Sequence, residues 1–113
     1  MLRKIDCVMV HVDDLDAGVA FYAVELGLRE LWRDATSAGL GFPETDAEIV
    51  LHTGDLPPEH ATHYLVDDVR AAVRAWRHPV KIAPFEIAIG WCAVLEDPFG
   101  NPICILDMTT GQR

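Results

Sequence analysis

Two cysteines and one histidine are the residues of this chain best suited to metal or thiol chemistry. Cys7 and Cys104 offer soft sulfur atoms, and with His63 and one more donor they could bind zinc in a reducing compartment. No Cys-x-x-Cys spacing brings the two cysteines together, so small core residues are the alternative interpretation of both. His63 indicates either a hydrogen-bonded strand histidine or a group that contacts a ligand or transfers protons.

The segment that contains Cys104 has the pattern of a turn followed by a strand. Asp97-Pro98 is typical of the start of a turn, and Gly100-Asn101 can adopt positive φ. The apolar run from Pro102 to Asp107 then predicts a terminal strand, and Cys104 lies in its middle.

An internal repeat organises the chain. The sequence Val-Asp-Asp-Leu-Asp-Ala-Gly-Val at residues 12–19 recurs as Val-Asp-Asp-Val-Arg-Ala-Ala-Val at residues 66–73. Each copy follows a strand-like run and precedes a helix-like one. We therefore predict a single α+β domain over residues 1–113, made of two tandem βαβββ modules at about 1–54 and about 60–113.

Aspartate caps and apolar stripes predict the two helices. The first helix begins at Asp13 or Asp14, whose carboxylate can accept free backbone N–H groups, and Gly27 suits its end. His78-Pro79 is expected to end the second helix. The two apolar stripes consist of Leu15, Val19, Tyr22 and Leu26 in the first helix, and of Val69, Val73 and Trp76 in the second.

The remaining apolar segments predict eight strands. Turn residues separate them, and a linker from Gly54 to His60 with Pro57-Pro58 inside it divides the two modules. The predicted strands are Ile5 to Val12, Leu28 to Arg33, Ala38 to Phe42, Glu48 to Thr53, Thr62 to Val66, Val80 to Ala83, Gly90 to Leu95 and Pro102 to Asp107.

Composition narrows the functional classes. The 113 residues carry 18 acidic and 9 basic side chains, and the net charge of −9 argues against nucleic acid as a partner. No apolar run approaches the roughly 18 residues of a membrane span, and the strand pattern at the first residues leads us to expect no secretory leader. Three cysteines, an odd number, do not indicate a disulfide framework. We expect a cytoplasmic protein with neither a membrane nor a nucleic-acid partner.

The order of these motifs resembles the vicinal oxygen chelate superfamily, the group of glyoxalases, bleomycin-resistance proteins and extradiol dioxygenases. The similarity rests on the tandem modules, on the Val-Asp-Asp-Leu helix entry followed by Phe21-Tyr22 and Leu26-Gly27-Leu28, and on the closing Asp-Pro-x-Gly-Asn. It implies a curved mixed sheet with a central cleft, helices on the outer face, and a homodimer. Many activities share such a fold, so the fold alone does not specify the chemistry.

The resemblance also implies four positions that hold a divalent ion such as Zn, Ni, Mn or Fe in metal-dependent relatives. In this sequence those positions carry Cys7, Leu51, Ala61 and Cys104. Leucine and alanine have no donor atom, so the usual site is absent and we expect no metal cofactor. Lyase or dioxygenase chemistry, in which the metal polarises a substrate oxygen, would need atypical ligands.

Strand alternation assigns side chains to the implied cleft. Its floor is mostly apolar, and Trp32 and Trp91 could stack on a planar ligand. A shift of one residue in the fourth strand would exchange Leu51 for Glu48 and His52 and would partly rebuild a metal site. The predicted cleft residues are Cys7, Met9, His11, Trp32, Leu51, His63, Trp91 and Cys104.

These features together predict a small-molecule-binding protein of the bleomycin-resistance type. We expect a hydrophobic or aromatic ligand bound without a metal, and an acidic protein suits a cationic compound such as an antibiotic. Two alternatives stay open: a divalent-metal-dependent lyase or dioxygenase with atypical ligands, and a catalytically silent scaffold dimer.

Overall fold

A computed structural model describes residues 1–55, 61–96 and 98–111. The Pro57-Pro58 part of the predicted linker and the turn residue Asp97 lie outside this described part of the chain. Contacts divide the chain into two compact units, which we call the first unit (Asp6–Thr62) and the second unit (His63–Arg113 with Met1–Ile5).

The elements follow the predicted order of two βαβββ modules, which confirms the α+β fold class. Each predicted strand is present within a residue or two of its predicted ends, except that β6 continues four residues past Ala83. The elements are β1 Lys4–His11, α1 Leu15–Ala20, β2 Arg29–Arg33, β3 Ser37–Gly41, β4 Glu48–His52, β5 Ala61–Leu65, α2 Val69–Ala75, β6 Val80–Ile87, β7 Gly90–Glu96 and β8 Pro102–Leu106.

The first unit contains strands in the order β2-β3-β4-β1, with β1 and β4 parallel and the other neighbours antiparallel. Helix α1 begins after Asp14, whose side chain accepts a hydrogen bond from the backbone N–H of Ala17 (3.1 Å), as the capping pattern predicts. One face of the strands packs against this helix around four buried residues, Leu15, Ala38, Leu40 and Leu51.

A π-helical turn extends α1 and changes the predicted apolar stripe. Residues Phe21–Glu25 form this turn, and the N–H of Leu26 donates to the carbonyl of Phe21, five residues earlier, at 3.2 Å. The extra residue rotates the chain, so Tyr22 still packs on the core whereas Leu26 is 55% exposed. The prediction that Leu26 belongs to the buried stripe is therefore wrong.

The second unit repeats this plan with strands in the order β5-β8-β7-β6 and with α2 on one face. Asp68 caps α2 by accepting from the N–H of Ala71 at 3.0 Å. The helix-side core contains the stripe residues Val69, Val73 and Trp76, as predicted, and it also contains Leu95 and Ile105.

A fully buried carboxylate, Asp107, follows β8 and connects this strand to α2 and β7 in the second unit. It accepts hydrogen bonds from the N–H of Val69 at the start of α2 (2.7 Å), from the N–H of Trp91 in β7 (2.9 Å), and from the hydroxyl of Thr109 (2.8 Å). A Cβ atom at Gly90 would overlap Asp107, so glycine is required beside it. Burial alone would raise the pKa of Asp107, but these hydrogen bonds outweigh it and lower the pKa below its ordinary value.

We predict that Asp107→Asn lowers the free energy of unfolding by about 1–3 kcal/mol, because one oxygen acceptor becomes a donor facing buried N–H groups. A lowered pKa stabilises the fold above the ordinary carboxylate pKa, and this contribution is lost as the pH falls through the folded-state value. The wild type should therefore lose stability towards acid more steeply than the variant. Urea unfolding at several pH values measures both effects.

Asp67→Asn is the matched control, because Asp67 is exposed and its one ion pair among the described residues is with Arg3 on the surface (3.2 Å). Equal losses of stability in the two variants, or parallel pH curves for Asp107→Asn and the wild type, would contradict the role assigned to Asp107.

Candidate binding site

The pairing of β1 with β4 defines one face of the first unit that points away from α1, which we call the helix-distal face. The two strands run parallel with Cys7 beside Glu48, Met9 beside Val50, and His11 beside His52. Side chains alternate along each strand, so these six residues share the face.

The register of β4 corrects the predicted position of Leu51. Leu51 is completely buried in the helix-side core, whereas Glu48 and His52 lie on the helix-distal face, as the alternative register predicts. Hydrophobic alternation could not decide between the two, because β4 is buried on both faces: Glu48 is 9% exposed and His52 is 4% exposed.

Trp32 extends across β3 to reach Glu48. Its indole Nε1–H donates to Oε1 of Glu48 at 2.7 Å, and the ring covers Gly39, the residue directly opposite it in the ladder. A Cβ atom at Gly39 would overlap the indole, so this contact needs glycine there. An irregularity of β2 between Glu30 and Trp32 directs the indole to this face. Trp32 therefore lies on the same face of these strands as Glu48 and its neighbour Cys7, and the prediction that a ligand binds there stays a prediction.

We predict that Gly39→Ala displaces the Trp32 indole and breaks its hydrogen bond to Glu48, at a cost of about 1–3 kcal/mol of stability. The indole N–H resonance of Trp32 should move towards the value of a solvated indole. Gly54→Ala is the control, because the nearest atom to an added Cβ at Gly54 is 4.0 Å away. An unchanged indole resonance in Gly39→Ala would show that Trp32 does not need this glycine.

A pair of histidines lies at one end of the helix-distal face. The rings of His11 and His52 meet edge to face with their centroids 5.4 Å apart. His52 is buried, and His11 is half-buried. Imidazoles provide both donors and acceptors, so this pair supplies hydrogen-bonding groups next to the apolar side chains of Met9 and Val50.

The second unit has its own helix-distal face, which contains two of the predicted site residues. His63 lies beside Cys104 in the parallel β5–β8 pair, and Cys92 lies across from Leu106 in the β7–β8 pair. Burial raises the pKa of the Cys104 thiol, and burial together with Cys104 raises that of Cys92 to about 12. Both groups therefore remain protonated thiols at neutral pH, which suits core residues better than nucleophiles or metal ligands.

Trp91 is not on this face, which corrects its predicted place in the cleft. It packs against the helix-side core of the second unit, and the guanidinium of Arg70 lies 4.4 Å from its ring centroid. Because Trp91 precedes Cys92 by one residue, strand alternation directs the two side chains to opposite faces.

The described residues do not fit a divalent metal ion. In the first unit Cys7 has Glu48 beside it, and in the second unit Cys104 has His63 beside it. Within residues 1–55, 61–96 and 98–111, no group of three or more His, Cys, Asp or Glu side chains is placed to hold a metal. Structural and catalytic zinc sites need at least three protein donors, and the described side chains do not bring three together.

Comparisons with known proteins support the fold rather than an activity. No protein-family model matches the chain, and no curated protein matches it. A methylmalonyl-CoA epimerase from Streptomyces coelicolor superposes with a TM-score of 0.73 at 19% identity, over 96% of this chain and 99% of that one. The epimerase from Mycobacterium tuberculosis gives 0.72 at 16% identity, over 94% and 88% of the two chains.

A third similar structure has a different description. A Legionella pneumophila chain described as an NAD-dependent benzaldehyde dehydrogenase gives a TM-score of 0.73 at 18% identity, over 91% of this chain and 98% of that one. Identities this low establish a shared fold only. This chain therefore shares the α+β fold of these structures, with strands in mixed parallel and antiparallel pairing.

Sequence reasoning missed two determinants of these faces. The predicted strand ends at Asp107 and gives this residue no role, although an acidic residue that closes an apolar run is a signal for a buried cap. The predicted strand that contains Gly39 does not explain why a glycine is needed there, although glycine inside a strand often marks close approach by another group.

No helix of the described residues is long and apolar enough to span a membrane.

Proposed function

We propose that this chain binds a small hydrophobic or aromatic molecule on the helix-distal face of its first unit, without a metal ion. The observation that supports this proposal is the arrangement of Trp32, fixed by its 2.7 Å hydrogen bond to Glu48 and by the glycine beneath it. An aromatic ring held in one orientation offers a planar surface at a low cost in conformational entropy.

The composition of the face supports an amphipathic ligand. Met9 and Val50 provide apolar contact, and Met adapts its shape to different partners. Glu48 provides a carboxylate acceptor, while His11 and His52 provide imidazoles at one end. A mostly apolar surface with a few polar groups that fix orientation is typical of small-molecule sites.

Charge favours a neutral or cationic ligand over an anionic one. The protein carries a net charge of −9, and Glu48 is the acidic member of the face. CoA esters, which are bound in structures of the similar epimerases, carry several phosphate charges and are disfavoured by this field. We further propose that the chain acts as a homodimer, as the family resemblance implies.

We predict that a planar aromatic amine raises the stability of the protein, by about 2.7 kcal/mol when its concentration is 100 times its Kd. Trp32→Ala should strongly reduce this increase. Phe99→Ala is the matched control, because Phe99 is an aromatic residue with 87% exposure on a turn of the second unit. Thermal unfolding in the presence of aromatic amines, aromatic acids and a CoA ester measures the preference. A shift with the CoA ester alone, or none with any compound, would overturn the proposal.

Metal analysis separates this function from that of a metal-dependent lyase or dioxygenase. We predict that protein purified without chelators contains far less than one divalent ion per chain. Among the described residues, no three donor side chains lie close enough together to hold one ion. Inductively coupled plasma mass spectrometry measures the content. One tightly bound ion per chain that is lost in Glu48→Gln would instead favour the metal-dependent alternative.

A further inference from the structure

We propose a second small-molecule site on the helix side of the first unit, suited to a hydrophobic amine with a short aromatic or aliphatic body. The site is a groove between the end of the helical segment and the chain that follows β3, and we call it the helix-side groove. It is lined by Tyr22, Leu26, Leu28, Phe42, Pro43, Glu44, Thr45 and Ile49.

The π-helical turn forms one wall of the groove. The N–H of Leu26 donates to Phe21 (3.2 Å), and the N–H of Leu28 donates to Tyr22 (3.1 Å), so the chain is wider here than an α-helix. Gly27 then reverses the chain with a φ of 80°. This geometry places the exposed side chain of Leu26 at the groove instead of on the core. π-Helical turns are frequent at functional sites.

The size and lining of the groove suit a small apolar molecule. Its volume is about 380 Å³, which lies in the usual range for ligand pockets. Tyr22, Leu28 and Ile49 form its floor, and these residues also pack on the helix-side core of the unit. The floor is therefore supported by buried packing, while Leu26 and Phe42 stay partly exposed at 55% and 39%.

The charge of the groove and of the protein indicates which polar group the ligand carries. Among the described residues that line the groove, Glu44 is the charged one, and Thr45 beside it offers a hydroxyl. Arg29 lines a neighbouring depression of about 150 Å³ that shares Phe42 and Pro43, but it does not line the groove itself. A carboxylate at the rim and a protein charge of −9 attract an ammonium group and repel a carboxylate.

The groove is independent of the function proposed above, because β4 separates the two surfaces. Ile49 lines the groove, and its neighbour Val50 lies on the helix-distal face. Methyl resonances of these two residues therefore report the two sites separately within one sample.

The test uses the full chain with labelled Ile and Val methyl groups, titrated with phenethylamine, phenylacetate and phenethyl alcohol. We expect phenethylamine to shift the Ile49 resonance in a saturable way, phenethyl alcohol to bind more weakly, and phenylacetate to bind least. Glu44→Gln should weaken phenethylamine about fivefold, the size of an exposed ion pair of about 1 kcal/mol. Glu86→Gln, an exposed change on β6, should leave the affinity unchanged.

Leu26→Ala provides a second variant that keeps the charge and removes part of the apolar wall; it should weaken the amine and the alcohol alike. Equal binding of the amine and the acid, an unchanged affinity in Glu44→Gln, or no saturable shift at Ile49 would overturn the proposal. Shifts at Val50 alone would overturn it while supporting the helix-distal site. A saturable shift at Ile49 with the expected order of ligands would support the groove whether or not Val50 also shifts.

Discussion

The parallel pairing of β1 with β4 is the constraint on which the chemistry of the first unit depends. Because side chains alternate, the choice of Cys7 as the neighbour of Glu48 fixes the direction of every other side chain on both strands. It buries Leu51 beneath α1 and brings His52 against His11. If β4 were shifted by one residue against β1, the strands would be the same but the side chains of β4 would exchange faces.

Each unit stabilises this alternation with a buried carboxylate next to a glycine. In the first unit Glu48 accepts from Trp32 across Gly39, and in the second unit Asp107 accepts from backbone groups beside Gly90. Burying a carboxylate is costly unless its oxygens receive hydrogen bonds, so such groups tolerate few alternative arrangements of their neighbours. The two contacts therefore oppose slippage of the strands more specifically than apolar packing does.

The sequence predicts the architecture well because local signals agree there. The repeat of Val-Asp-Asp, the aspartate caps at Asp14 and Asp68, and the apolar runs all indicate the same two modules. The faces of buried strands are predicted less well, as Leu51 and Trp91 show, because strands covered on both sides lose the polar alternation that identifies a face. His63 and Cys104 lie beside each other in the β5–β8 pair, although β8 too is buried on both faces from Cys104 to Leu106.

The π-helical turn at Phe21–Glu25 differs from an α-helical turn by the equivalent of one residue. A lineage that lost a single codon in this segment could restore the ordinary helix, return the leucine that follows it to the buried stripe, and fill the space beside Phe42. The helix-side groove would then be gained or lost through one small genetic event, while the pairing of β1 with β4 stays the same.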